Sequence, residues 1–261
     1  MKTLRILVAA ALAAASLSAH AVGSLADITI YDRATGRELP VYWHEGRAYV
    51  VGKPGNEYQI NVKNRSGEDL LAMMSVDGVN VISGKTASPT QGGGYVLSAW
   101  ENTSIRGWRK SMEETAAFYF TSLGDSYAAR TGRPDNVGVI GVALYQRARP
   151  PEPVAQAPFD LPWRDKRAER SSADSAAGAS AENKSLARPA PSAPLGTGHG
   201  RREESRTTYT HFERRTSEPV ETIAIYYDSH RNLVAQGVLP TYGYTPRNPN
   251  PWPTGFVPDP R

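Results

Sequence analysis

Between residues 25 and 145 apolar and polar positions alternate in short runs, and Gly, Asn, Asp and Pro divide the runs. A period of two places alternate side chains on opposite faces of an extended chain, so the pattern predicts β-strands. "LPVYWHEGRAYVV" reads as two strands about Glu45-Gly46, "EYQINV" as the next, and "LLAMMSV" and "VNVI" as a pair joined by Asp77-Gly78. Asp-Gly suits a type I′ hairpin turn, whose two central residues both need positive φ. Further strands are expected in "GYVLSAW", "SIRGW", "AAFYFTS" and "NVGVIGVALY". In the last, Val137, Val139 and Ala143 fall on one face and Ile140, Val142 and Leu144 on the other. Both faces are apolar, which predicts a central strand. About seven to nine strands with turns at this spacing predict an all-β fold, an antiparallel β-sandwich spanning residues 22–148. Short helical pieces are expected only around Arg109 to Thr115 and Ser126 to Arg130.

The pattern breaks at Pro150. Residues 149–198 read as a low-complexity flexible linker, and in its 171–195 stretch 17 of 25 residues are Ala, Ser or Pro. So little large apolar surface cannot offset the entropy of ordering, so a disordered insertion is expected. Order is expected to return over 199–240, in "RTTYTHFERR" and "ETIAIYYDSHRNLVAQGVL". There Ile223, Ile225 and Tyr227 alternate with Thr222, Ala224 and Tyr226. Asp228 to Asn232 would supply a turn before a second strand, Leu233 to Leu239. A two-stranded ribbon is marginal alone in water, so this C-terminal β-hairpin is expected to dock back on the sandwich. Residues 241–261 form a proline-rich tail with Tyr242, Tyr244, Trp252 and Phe256 among its prolines. Such a segment favours polyproline II and either lies along its own domain or is offered to a partner.

The first residues change the picture of where the protein works. Lys2 and Arg5, the apolar stretch Ile6 to Leu17, and Ala19-His20-Ala21 are the three parts of a secretory signal peptide, expected to span 1–21. The stretch is too short to cross a bilayer, so no transmembrane segment is expected and the product should be periplasmic or secreted. Removing Lys2 and Arg5 leaves 28 basic against 26 acidic residues. A near-neutral chain with no basic run does not suit nucleic acid. The chain has no cysteine, which excludes disulfides, thiol catalysis and Cys-ligated zinc. It also excludes a lipidated N-terminal cysteine, and no cofactor is indicated.

Several motifs invite chemistry. "VDGVNVISGKT" ends like a phosphate-binding loop, but the earlier glycine, Gly78, is one residue too early and the intervening residues read as a strand. "FYFTSLGDSYAAR" resembles the nucleophile block of GDS-type esterases at Ser126, with His211 or His230 as possible base. However, Asp228-Ser229-His230 is one residue too close for a D-x-x-H, and no alternating βαβ pattern surrounds Ser126. The plainer expectation is a turn capped by Asp125 or Ser126. His211 and Glu213 share a face of an expected strand that Asp228 and His230 could approach, a conceivable N/O metal site. Trp43, Trp100 and Trp108 could form a sugar-stacking platform. His199, within "GTGHGRREES", could belong to an anion-binding nest.

The blocks "MMSVDGVNVISGK", "GWRKS", "DSYAARTGRPDNVGVIGVALY", "GTGHG" and "IYYDSHRNLVAQGV" resemble those of a family of uncharacterised exported bacterial proteins, over roughly 25–145 and 196–240. The resemblance implies that both blocks belong to one unit, and it carries over no activity. The expectation from the sequence is therefore an exported, non-catalytic binding or structural module of the bacterial cell envelope. Its partner would be an envelope protein or glycan. The alternatives are a Ser126 hydrolase and a carbohydrate-binding module.

Overall fold

The computed structural model describes residues 21–149 and 193–240. The expected leader peptide, linker and proline-rich tail lie almost wholly outside the described residues. The first block runs β1 (Ala26–Asp32), β2 (Arg37–Glu38), β3 (Tyr42–His44), β4 (Arg47–Val51), β5 (Glu57–Asn64), β6 (Leu70–Val76) and β7 (Val79–Asn80). It continues with β8 (Tyr95–Leu97), β9 (Asn102–Ile105), β10 (Gly107–Arg109), β11 (Glu114–Ser122), α1 (Tyr127–Arg130) and β12 (Val139–Gln146). The second block adds β13 (Leu195–Glu204), β14 (Glu221–Asp228) and α2 (His230–Ala235).

The strands form two seven-stranded sheets. The first is ordered β10-β11-β5-β1-β2, with β13 on the far edge of β11 and β9 beside β5. The second is ordered β3-β4-β14-β12-β6-β7, with β8 beside β6. All strand pairs are antiparallel except β4 with β14. This one parallel pair is where the second block enters the sheet, and a parallel neighbour requires a long connection.

One core lies between the sheets. Ile28, Ile30, Tyr58, Ile60 and Phe118 from the first sheet meet Val50, Met74, Val76, Ile140 and Ile225 from the second. Tyr58 stacks on Phe120 at 4.3 Å between ring centroids. Each such side chain contributes about 1.5–3 kcal/mol by leaving water. A smaller cluster of Leu71, Met73, Ala143 and Tyr145, joined by Val96 and Phe212, covers the opposite face of the second sheet. That accounts for the two apolar faces of β12, a central strand as expected.

Both predicted hairpin turns have the required backbone, with φ of 50° and 74° at Glu45-Gly46 and 52° and 72° at Asp77-Gly78. The C-terminal block docks back on the sandwich, as expected. Its details differ from the sequence reading. Asp228 to Asn232 does not turn into a strand over Leu233 to Leu239; instead Ser229 caps α2 by accepting the Asn232 amide at 3.2 Å. Leu233 is buried on the face that packs. "RTTYTHFERR" forms no strand, only an isolated bridge between Arg147 and Arg214. Strand β13 begins at Leu195, before the expected linker boundary of 198, and Gly196, Thr197 and Gly198 are buried in it. The helix expected around Arg109 to Thr115 is the tight connection of β10 to β11, closed by Lys110 N donating to Glu114 O at 2.9 Å.

Candidate functional site

Asp77, in the β6–β7 turn, is a fully buried carboxylate bonded to both sequence blocks. Its Oδ1 accepts from Gly138 N at 2.9 Å and from the Tyr227 hydroxyl at 2.5 Å. Its Oδ2 accepts from Thr197 N at 2.7 Å. The Thr197 hydroxyl lies 2.6 Å from Tyr227 Oη and 2.6 Å from Tyr58 Oη. Because the carboxylate accepts a hydrogen bond from the Tyr227 hydroxyl, the hydroxyls line up in one direction: Tyr58 donates to Thr197, Thr197 to Tyr227, Tyr227 to Asp77. Burial raises the Asp77 carboxyl to about 6, against the opposing pull of the Tyr227, Thr197 and Gly138 donors. With no solvent access this network is a latch between the two sequence blocks, not a reaction centre. Further contacts join the blocks: Glu221 accepts from Ser24 N and Leu25 N, Arg33 pairs with Glu203, and Arg215 pairs with Glu68.

The residues singled out in the sequence do not converge. Ser126 is fully buried; its Oγ accepts from Ala129 N at 3.1 Å and donates to Leu123 O at 2.7 Å, so it caps α1. Asp125 receives a hydrogen bond from Ser122 instead. A methyl group at Gly196 would come within 2.5 Å of Ser126 Cβ, so β13 closes over the hydroxyl. His211 lies in the irregular segment after β13, where its carbonyl accepts from Arg147, and His230 begins α2. Among the described residues no three His, Cys, Asp or Glu side chains form a group that could hold a metal ion. His211, Glu213, Asp228 and His230 therefore do not assemble. Asp228 instead accepts from Leu195 N, Ser229 N, Asn232 Nδ2 and Gln236 Nε2, which fastens α2 to the sheet end.

The tryptophans separate as well. Trp108 is a core residue, its Nε1 donating to Gly198 O at 3.2 Å. Trp43, on the outermost strand of the second sheet, is 57% exposed, and Trp100, at φ 64° in the β8–β9 turn, is 65% exposed. His199 is exposed on β13, its ring 5.6 Å from that of Tyr127. Partial burial and then Lys110 hold its imidazole below its ordinary pKa. The Gly84-Lys85-Thr86 loop is no phosphate cradle, because the amides of Ile82, Ser83 and Gly84 all donate to Asn80.

What the fold does build is a groove of about 830 Å³ beneath the segment that follows β13. Residues 205–214 act as a strap fixed at both ends. At one end Ser205 N donates to Glu113 O at 2.7 Å and Thr207 N to Met112 O at 2.8 Å. Arg109 holds Ser205 through its carbonyl and its hydroxyl, and also bonds Tyr95 Oη. At the other end Arg147 donates to His211 O and lies over the Phe212 ring at 4.7 Å. Arg214 donates to Thr90 O at 2.7 Å and lies over the Tyr145 ring at 4.4 Å. Between these anchors Thr208 to Thr210 bridge the groove, and Tyr209 is 93% exposed. The facing wall is Gly92 to Gly94, and a methyl group at Gly94 would come within 2.6 Å of Ala72 O.

The groove thus offers rings from Tyr95, Tyr209 and Phe212, the hydroxyls of Thr208 and Thr210, and bare backbone along the glycines. Such a lining suits a ligand with flat apolar faces and polar edges. The sequence reading missed it because "TQGGGY" and "TTYTHFERR" stand over a hundred residues apart and neither has a period. Comparison with family models, curated proteins and solved structures finds no match to this chain. No helix of the described residues is long and apolar enough to cross a membrane.

Proposed function

We propose that the protein is an exported, non-catalytic binding module of the bacterial cell envelope, and that a glycan segment seats in the groove beneath the strap. The leader-like first 21 residues and the absence of cysteine support the compartment. The groove supports the activity: its rings can stack on sugar faces, while its threonine hydroxyls and glycine backbone can bond sugar edges. A Ser126 hydrolase is not favoured, since the Ser126 hydroxyl is buried and engaged on both sides in the cap of α1.

The test is titration of the full chain with soluble peptidoglycan fragments, followed by amide shifts. Shifts at Gly92 to Gly94 and at Thr208 to Thr210, with affinity weakened about tenfold by Tyr209→Ala, would uphold the reading. Binding that leaves those amides unmoved, or no binding to any fragment, would reject it.

A further inference from the structure

On the outward face of the second sheet, away from the core, one row of residues is aromatic. Tyr42 pairs in register with Tyr49, and Tyr49 with Tyr226. The Tyr49 and Tyr226 rings lie 5.5 Å apart, His44 meets Tyr49 edge-on at 6.5 Å, and Arg47 lies over Tyr226 at 5.6 Å. All three tyrosines are half-buried, so each keeps part of its ring open. The row beside them is nearly bare. Register aligns Ala224 with Gly141 and Gly141 with Ser75, and a methyl group at Gly141 would come within 2.8 Å of Ser75 Oγ. Beyond it, Thr86 to Pro89 form a wall around a hollow of about 340 Å³. The face is therefore an aromatic ridge beside a shallow channel floored by small residues.

We propose that this ridge and channel are a docking surface for the chain's own proline-rich segment, residues 241–261. The first argument is proximity. Asp228 O accepts from Gly52 N at the end of β14, two residues beyond the Tyr49–Tyr226 pair. Helix α2 starts there, and Leu239, buried against it, is followed directly by Pro240 and the segment. The second is chemistry. Pro246-Arg247-Asn248-Pro249 is a P-x-x-P sequence, and such segments seat on aromatic-lined surfaces in the polyproline II form.

The third argument is spacing. Three residues of polyproline II advance about 9 Å, so in that form Pro246 and Pro249 would present the same face that far apart. The ridge from Tyr42 to Tyr226 spans two strand spacings, about 10 Å. Both prolines can therefore contact the ridge at once, leaving the hydroxyl-bearing ring edges to meet the carbonyls that polyproline II leaves unbonded. This docking is independent of the ligand proposed for the strap groove, which lies elsewhere on the body.

Because the chain contains no cysteine, a single Thr254→Cys substitution carries a nitroxide without ambiguity. In the labelled full chain, the amides of Ala224, Gly141 and Tyr226 should lose intensity, and should recover when the nitroxide is reduced. Adding Pro246→Ala and Pro249→Ala, which leave the folded body untouched, should restore those signals. Broadening that is absent from this face, or that survives the proline substitutions, overturns the proposal. Broadening that fades on dilution overturns it too, since the segment would then come from a second copy. The same broadening at every concentration, lost with the prolines, upholds it.

Discussion

Tyr227 donates its phenolic proton to Asp77 Oδ1 at 2.5 Å, although the two residues stand 150 positions apart. One side of this contact is a hairpin turn of the first block and the other is the strand that the second block inserts into the sheet. Thr197 N closes the same carboxylate from β13. Three pieces of chain that sequence keeps apart are thus fastened at one buried carboxylate, which makes Asp77 the place to probe how the blocks hold together.

Ionisation of Asp77 is less favourable in the folded protein, whose carboxyl titrates near 6, than in the unfolded chain, where 3.8 applies. Its contribution to stability should therefore fall as pH rises from about 4 through 6, by an amount on the order of 3 kcal/mol, and stay level above that. Glu57, Glu68 and Glu101, held low mainly by Arg201, Arg149 and Thr103 respectively, act in the opposite sense. Their support should be present above about 4.5 and be lost as pH falls further. The Asp77 share is isolated by subtraction: the stability of the native protein minus that of Asp77→Asn should decline between pH 4 and 7 in urea titrations. Parallel curves would contradict the assignment.

The direction of the hydroxyl chain gives a second expectation. When Asp77 takes up a proton, its other neighbours are N–H donors, so it must donate to Tyr227 Oη. Tyr227 and Thr197 then reverse, and the buried Tyr58 hydroxyl is left with no acceptor among the described residues. An unmet buried donor costs about 1–3 kcal/mol, which opposes protonation. Tyr58→Phe only moves the unmet donor to the Thr197 hydroxyl, so the Asp77 carboxyl should still titrate near 6 in the variant. Carboxyl carbon NMR reads the value directly, and a midpoint well above 6 would refute the relay.

Ser126→Ala should weaken the protein by about 1 kcal/mol through loss of the cap on α1. The same variant should bind peptidoglycan fragments as the native protein does. A fluorophosphonate probe should leave native Ser126 unlabelled, because the hydroxyl is covered by β13; labelling there would overturn the structural role.

Arg109→Met should free one end of the strap. Arg109 links Tyr95 to Ser205, so amide exchange should quicken at Ser205 and Thr207 while the Arg214 end stays protected. Equal protection at both ends would show that backbone bonds alone hold the strap.

Much of the architecture was readable without coordinates because it is set by neighbours in the chain. The positive φ at Asp77-Gly78, the two-faced strand at Val139–Gln146 and the helix start at Ser126 each depend on residues within a few positions. Where local preferences were evenly matched the reading failed. "RKSMEET" contains good helix formers, but Arg109 pairs with Thr115 and the hairpin prevails. Ser229 carries a cap signal that the apolar run Leu233 to Leu239 obscured, and burial of Leu233 against the sheet end decided for a helix.

The functional surfaces were harder still. Trp108 reads as a binding aromatic until the sheets close over it, and the strap groove joins Gly92 to Gly94 with residues 207–212 only after β13 and β14 have docked. Sequence by itself determined most strands of the first block and the hairpin turns, since steric limits on φ and alternation of side chains act over a few residues. Only the tertiary structure decided which polar groups meet, because pairing across a long connection depends on long-range packing that no local pattern encodes.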